Sequence, residues 1–187
     1  YIPIKHTANS VALIDFKDSH MNMVRPGLMM YGIYPKESLM KNILLKPALT
    51  LKTKITYLKS MPKGRSVSYG MTYMTRKSTK IATIPVGYGD GYSRHFSNKA
   101  QVLVNGARCS IVGRVCMDMC MVEVGHLENV KVGDDVILIG SQGDEIIRAE
   151  ELARLINTIP YEVLCNIGQR VPRIYKGKGR NIPVGEP

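Results

Sequence analysis

The segment Gln101-Val-Leu-Val-Asn-Gly-Ala-Arg-Cys-Ser110 carries the clearest structural signal in the chain. Asn105-Gly106 separates two short, largely apolar runs. This dipeptide favours the tight two-residue turn of a β-hairpin, because both of its positions tolerate a positive φ. The segment therefore predicts two antiparallel strands joined at Asn105-Gly106.

Further strands are predicted on both sides of this hairpin. Over residues 49–57 apolar side chains alternate with lysine and threonine, a period of two that is typical of a half-buried strand. Residues 79–86 predict a strand that ends near a proline, and residues 115–124 predict another, in which a methionine-rich run hides the period. Residues 130–140 predict two strands separated by a Gly-Asp turn.

One helix is clear from the sequence. Apolar side chains recur at positions i, i+3, i+4 and i+7 over residues 149–156, and Pro160 prevents this helix from running further. Short strands accompanied by one helix make residues 48–187 a mainly β domain, which we expect to be compact and barrel-like.

Residues 1–47 have a different character. Their few charged side chains recur with no regular period, and the segment is interrupted at Pro26-Gly27 and Tyr34-Pro35. We expect two short buried strands with loops, too little to fold alone. The chain also begins without an initiator methionine or a signal peptide. We therefore expect a piece of a longer protein, in which residues 1–47 form the end of another domain.

The composition excludes several classes of protein. The chain has 187 residues, of which 44% are hydrophobic and 22% charged, which is ordinary for a globular protein. No apolar run approaches the roughly 20 residues of a transmembrane helix. Cys109, Cys116, Cys120 and Cys165 include no Cys-x-x-Cys pair and are too few for a disulfide framework. We expect buried structural thiols in a reducing compartment, and no metal site.

The positive charge is concentrated in the first half of the chain. The formal net charge is +11; residues 1–100 carry 16 basic and 4 acidic side chains, whereas residues 101–187 carry 10 and 11. A basic β-barrel that binds nucleic acid is one alternative, and it predicts aromatic side chains along the strands as stacking platforms. The chain has no tryptophan and two phenylalanines. Solvated strand faces or small anionic ligands therefore explain the charge more simply.

Six short motifs combine small, polar and charged residues. They are residues 6–10, 23–27, 67–70, 87–91, 113–118 and 170–173. None matches a Walker loop, a dinucleotide-binding fingerprint or a catalytic triad, and each alone is compatible with an ordinary turn. Together, in this order, they resemble the C-terminal half of the alanine racemase family. The resemblance implies the end of an α/β barrel over residues 1–47 and a C-terminal β domain with a catalytic tyrosine over residues 48–187.

The resemblance also implies pyridoxal 5′-phosphate as the cofactor. Ser10 matches the serine that binds the cofactor phosphate, and the backbone amides of Gly27 and Leu28 match the next part of that phosphate site. Tyr161 matches a tyrosine that contacts the phosphate and supports the catalytic tyrosine. The family's lysine, which carries the cofactor covalently, lies upstream and has no match in this chain.

Arg25 matches the arginine that faces the pyridine nitrogen of the cofactor. A guanidinium donates hydrogen bonds but does not give up its proton, so the ring remains a weaker electron sink than one paired with a carboxylate. This restrains side reactions. An ion pair with Asp15 or Asp18 is the alternative role for Arg25.

Tyr69, in Val-Ser-Tyr-Gly, matches the catalytic tyrosine of the family. Racemisation removes a proton from one face of the α-carbon and delivers one to the other, so the upstream lysine and Tyr69 would each serve one face. Met117 matches the position whose backbone amide contacts the substrate carboxylate. The positions matched to the substrate entrance and its surroundings are His6, Tyr88, Arg94, Arg114 and Asp118. A structural ion pair is the alternative role for Arg114 and Asp118.

The function implied is the interconversion of L-alanine and D-alanine, which supplies D-alanine for peptidoglycan. The resemblance further implies a cytoplasmic homodimer, in which the β domain of one subunit completes the active site of the other. A serine racemase of the same family, within a larger membrane-anchored protein, is the alternative; Tyr161 favours alanine. Because the lysine is missing, we expect the chain alone to be inactive.

Overall fold

The computed structural model describes residues 1–35, 38, 43–177 and 180–183. In chain order the strands are β1 (Leu51–Lys54), β2 (Tyr57–Met61), β3 (Ser66–Val67), β4 (Tyr73–Met74), β5 (Thr79–Ile84), β6 (Gln101–Val104), β7 (Ala107–Ser110), β8 (Cys120–Glu123), β9 (Asp135–Gln142), β10 (Glu145–Ile147), β11 (Ile174–Gly177) and β12 (Arg180–Pro183). The α-helices are α1 (Ser10–Asp15), α2 (Ala149–Leu155) and α3 (Pro160–Cys165).

The strands form two main antiparallel sheets. The first has the order β1-β9-β6-β7, and β10 pairs with the end of β9. The second has the order β2-β5-β8, and an isolated bridge between Ile111 and Val122 connects it to the chain that follows β7. Two small hairpins, β3-β4 and β11-β12, complete the described strands. The prediction of a mainly β fold is confirmed.

The predicted hairpin is present. Strands β6 and β7 pair from Gln101↔Ser110 to Val104↔Ala107. Asn105 and Gly106 have φ values of 50° and 79°, so both occupy the left-handed region that a primed two-residue turn requires.

The predicted strand over residues 49–57 is two strands in different sheets. The Ile55 N–H donates to Asp134 O, whereas the Thr56 N–H donates to Thr83 O, each at 3.0 Å, so the chain passes from the first sheet to the second between these residues. The alternation of burial holds through Ile55 and then breaks, because Tyr57 is exposed. The period of two continues in the sequence across a point where the sheet changes.

Three other predictions were wrong in part. Within residues 115–124 only β8 is a strand; the preceding residues form a loop closed by a 2.9 Å hydrogen bond from Cys116 N–H to Met119 O. Within residues 130–140 only β9 is a strand, because the Asp134 carboxylate accepts from Lys131 N–H and makes residues 131–134 a turn. Helix α2 is present, but a second helix, α3, starts at Pro160, which suits the first turn because it needs no N–H there.

The expected pair of buried strands in residues 1–47 is wrong. The described part of that segment contains α1 and the 3-10 helices Lys17–Ser19 and Leu28–Tyr31, and no strand. Residues 36, 37 and 39–42 lie outside the described residues. Helix α1 begins where it does because Asn9 Oδ1 accepts from Val11 N–H and Ala12 N–H, each at 3.1 Å.

The N-terminal segment packs on the β region. Leu28 and Ile33 belong to the main core cluster, which fills the space between the sheets and α2. The Tyr34 N–H donates to Glu150 Oε1 of α2 at 3.1 Å.

All four cysteines are free. Cys109 and Cys120 are buried, Cys116 is half-buried and Cys165 is exposed, so the expectation of buried thiols holds for two of them. Burial raises the pKa of Cys109 to about 11 and that of Cys120 further still. No described helix is long and apolar enough to cross a membrane. The described residues also place no three His, Cys, Asp or Glu side chains together as a metal site.

Candidate active site

An open cleft of about 710 Å³ lies on the β region. Its lining comes from the start of the 3-10 helix Tyr69–Met71, from the connection between β5 and β6, and from the segment that leads into β8. Six residues matched to the family's site line it: Tyr69, Tyr88, Arg94, Arg114, Met117 and Asp118. The structure therefore brings together residues that lie up to 49 positions apart in the sequence.

The turn that carries Tyr69 has an unusual backbone. Ser68 adopts φ 65° and ψ −176°, a region that is favourable only for glycine, and Gly70 and Met71 also have positive φ. The Ser68 hydroxyl donates to Arg114 O at 2.7 Å, which fixes the turn against the segment that leads to Met117. Tyr69 projects from this turn and is 73% exposed.

The neighbouring hairpin anchors the same turn from its other end. Strands β3 and β4 flank it, and the Tyr73 hydroxyl on β4 donates to Glu123 Oε2 on β8 at 2.9 Å. Partial burial and the Glu123 carboxylate raise the pKa of Tyr73 to about 12.

Tyr88 and Met117 are held together by their backbones. The Tyr88 N–H donates to Cys116 O at 3.0 Å and the Gly89 N–H to Met117 O at 2.9 Å. A Cβ at Gly87 would lie 2.2 Å from Cys116 O, so this approach requires glycine. The Met117 N–H has no acceptor among the described residues.

Asp118 pairs with Arg170 rather than with Arg114. The Arg170 Nη2 lies 2.6 Å from Asp118 Oδ1, and its Nε lies 3.5 Å from Asp90 Oδ1. Both carboxylates raise the pKa of the Arg170 guanidinium. The alternative of an Arg114–Asp118 ion pair is therefore wrong, and Arg170 is a residue that sequence reasoning did not place near the site. The motif at 170–173 was its only signal.

A second group of matched residues lies in the N-terminal segment. Ser10 is buried, and its hydroxyl accepts from Gly27 N–H at 2.9 Å. The Arg25 N–H donates to Ala8 O at 2.9 Å, and the Arg25 guanidinium reaches Thr7 O at 3.5 Å. Within the described chain Arg25 forms no ion pair, so the alternative of pairing with Asp15 or Asp18 is wrong.

His6 and Tyr161 stand apart from both groups. Both are exposed, with Tyr161 on α3, and in the described part of the chain neither side chain has a hydrogen-bond partner. Their matched roles remain predictions.

Two family models match the chain. One is described as the C-terminal domain of alanine racemase and matches residues 48–175, more than half of the chain. The other is described as the N-terminal domain of alanine racemase and matches residues 1–35.

The chain belongs to the alanine racemase family.

Individual alanine racemases are close in sequence. The protein named alanine racemase from Halothermothrix orenii is 55% identical over 95% of this chain and 47% of its own length. The alanine racemase of Clostridium perfringens strain SM101 is 49% identical over 98% of this chain and 48% of its own length. The chain thus spans about half the length of the curated relatives it matches.

Solved alanine racemase structures share the fold. The crystal structure of the Bacillus anthracis enzyme with bound L-Ala-P has a TM-score of 0.89 and 43% identity, covering 95% of this chain and 46% of that one. The Clostridium difficile 630 enzyme in complex with cycloserine has a TM-score of 0.89 and 41% identity, covering 97% and 48%. Family membership confirms the resemblance drawn from the six motifs.

Proposed function

We propose that this chain is the C-terminal half of an alanine racemase that interconverts L-alanine and D-alanine. The observation that carries the proposal is that Tyr69 and Met117, matched to proton transfer and to substrate binding, line one cleft. In the experiments below, the full-length protein means this chain together with the barrel sequence that we expect upstream of it. Residues 1–47 would be the end of that barrel, and residues 48–187 the β domain.

The N-terminal residues suit the phosphate of pyridoxal phosphate, the cofactor on which the alanine racemase family depends in general. The Ser10 hydroxyl accepts from Gly27 N–H and keeps its own proton for another acceptor. The Leu28 N–H has no acceptor in the described part of the chain. Two such donors beside a glycine backbone form a donor set that fits a phosphate.

When bound, pyridoxal phosphate withdraws electrons from the substrate α-carbon and so makes its hydrogen removable. Arg25 would hold the pyridine nitrogen by donating a hydrogen bond, without supplying a proton. Arg25 is exposed, and its backbone is fixed to Ala8, two residues before Ser10.

Tyr69 would move the proton on one face of the α-carbon. Its hydroxyl has no hydrogen-bond partner among the described residues, so it is free to contact a substrate in the cleft. The upstream lysine would serve the opposite face, because one base does not reach both faces of a fixed planar centre. Tyr161 would support Tyr69 and contact the phosphate.

Met117 would hold the substrate carboxylate through its free N–H. Tyr88, Arg94, Arg114 and Asp118 line the same cleft and would form a polar entrance that favours a small amino acid over bulky ones. His6 lies apart from this cleft in the chain and would join the entrance only in the assembled protein. Tyr69, Tyr88 and Met117 are all substantially exposed. Their exposure supports a homodimer in which a second subunit covers the cleft and the two active sites are shared; we place this homodimer in the cytoplasm.

Isotope exchange in the full-length protein tests the assignment of Tyr69. In Tyr69→Phe, α-hydrogen exchange from L-alanine and net racemisation should fall by at least roughly 10²-fold, because a positioned base is lost. Exchange from D-alanine should persist through the lysine. The matched control is Tyr57→Phe, an exposed tyrosine of β2 outside the cleft, which should leave both rates unchanged.

Two results would contradict the proposal. Equal losses of exchange from both enantiomers would give Tyr69 a positioning role rather than proton transfer. Faster turnover of serine than of alanine by the unmodified protein would identify a serine racemase instead.

A further inference from the structure

Arg170 contacts two loops that contribute residues to the lining of the cleft. One loop contains the 3-10 helix Tyr88–Asp90; the other contains Met117 and Asp118. A single guanidinium contacts a carboxylate on each, at 3.5 Å and 2.6 Å. We propose that Arg170 is a positioning residue that keeps the Met117 N–H directed at the substrate carboxylate. This inference rests on the proposed function.

The contacts continue from Arg170 to the Met117 backbone. Asp90 Oδ2 accepts from Gly87 N–H at 3.0 Å, so the carboxylate that meets Arg170 also closes its own loop. An ideal Cβ on Gly89 would lie 2.6 Å from Arg170 Nη1 and 3.1 Å from Met117 O. The guanidinium therefore packs directly on Gly89, whose N–H holds Met117 O.

The backbone that carries Arg170 is fixed to the same loop. The Gly168 N–H donates to Asp90 O at 3.1 Å. A Cβ on Gly91 would lie 1.8 Å from Asn166 O, so the end of α3 and this loop are in close backbone contact. Arg173 caps the turn by donating to Ile167 O at 2.8 Å. The backbone at Arg170 is thus held by several contacts, and its side chain extends from there toward both carboxylates.

Removal of Arg170 would leave Asp90 and Asp118 near each other without the cation that they share. Like charges at such a site repel, so Asp118 and the peptide next to it would turn away from Asp90. Arg170 is 56% exposed, and exposed ion pairs contribute little to stability. The backbone hydrogen bonds to Cys116 O and Met117 O still hold the two loops together, so the repulsion changes the orientation of the Met117 N–H and does not separate the loops. The expected consequence is a displaced Met117 N–H in a folded protein.

Steady-state kinetics of the full-length Arg170→Ala variant test this role. The carboxylate is bound equally in the ground state and in the transition state, so the KM for alanine should rise roughly 10-fold while kcat changes less than about 3-fold. The affinity for pyridoxal phosphate should stay the same, because the residues proposed to bind its phosphate, Ser10 and Leu28, are not in contact with Arg170. The matched control is Arg76→Ala, an exposed arginine outside the cleft, whose KM should not change.

Two further variants separate positioning from simple loss of charge. Arg170→Lys keeps the cation but loses the two-sided guanidinium, so it should restore the KM only in part. The KM of the double variant Asp118→Asn, Arg170→Ala should be no higher than that of Arg170→Ala alone, because both changes break the same contact between Arg170 and Asp118.

The outcomes distinguish this inference from the proposed function. If the unmodified protein does not racemise alanine, the proposed function is wrong. If it does, and Arg170→Ala leaves KM unchanged or lowers kcat as much as kcat/KM, Arg170 does not position the carboxylate site. Fully additive losses in the double variant would also overturn the inference.

Discussion

Substituting Ser68 by glycine and by alanine should separate backbone strain from the hydrogen bond at the Tyr69 turn. Both changes remove the bond from the Ser68 hydroxyl to Arg114 O, which contributes about 1 kcal/mol. Alanine retains the cost of φ 65° and ψ −176°, whereas glycine relieves about 1–3 kcal/mol of it. Glycine also loses about 0.5–1 kcal/mol through greater freedom in the unfolded chain.

The two variants should therefore differ in a defined direction. We expect Ser68→Ala to be less stable than the unmodified chain by about 1 kcal/mol. Ser68→Gly should be more stable than Ser68→Ala by about 1 kcal/mol, the strain relieved less the entropy lost. Urea unfolding followed by circular dichroism measures this difference, provided that the slopes of the transitions agree.

The same pair of substitutions at Ser60 is the control. Ser60 is exposed in the middle of β2, outside the positive-φ residues, so glycine there should be less stable than alanine by about 0.5–1 kcal/mol. The order of stability should thus reverse between the two serines. If glycine is the less stable variant at both positions, Ser68 is not held in a strained conformation, and the account of how Tyr69 is presented fails.

Three further predictions concern the core, the β3-β4 hairpin and the isolated chain. Tyr92→Phe should leave the free energy of unfolding unchanged or raise it by up to about 1 kcal/mol, because the buried Tyr92 hydroxyl has no partner among the described residues; a loss above about 1 kcal/mol in urea unfolding would contradict this. Tyr73 has its pKa raised from 10.0 to about 12, so its contribution is complete below pH 10 and is lost as the pH rises toward 12. The stability of Tyr73→Phe should fall less steeply than that of the unmodified chain over this range, and parallel pH profiles would refute it. The isolated chain with pyridoxal phosphate should exchange the α-hydrogen of alanine no faster than the free cofactor does; faster exchange would show that the chain needs no upstream lysine.

Local signals in the sequence predicted local structure well. Asn105-Gly106 specifies a hairpin through neighbouring residues alone, and the helix over residues 149–156 is predicted from the apolar face that its own sequence forms. The change of sheet at Ile55 is different, because it depends on which partner strand accepts the chain. Helix α1 was missed although Asn9 is a suitable N-cap, because only six residues follow and they carry little helical period.

The candidate site was predicted from its motifs, but its internal contacts were not. Tyr69, Tyr88 and Met117, which come from three of the six motifs, line one cleft. Arg170 lies 52 residues from Asp118 in the sequence, and nothing in either motif indicates which arginine meets which carboxylate. Such a pairing is set by how α3 and the loops pack, which is a property of the tertiary structure.

The segments that carried the resemblance are held by close contacts between loop backbones. A strand in a sheet needs only the right alternation of apolar side chains, so many sequences satisfy it and its boundaries are poorly specified. The loops of the cleft instead meet backbone to backbone: Gly87 lies against Cys116, and Gly91 against Asn166, with no room for a Cβ. Only glycine meets that requirement. The motifs that carried the resemblance lie mostly in such irregular segments, and the same contacts place Met117 beside Tyr88.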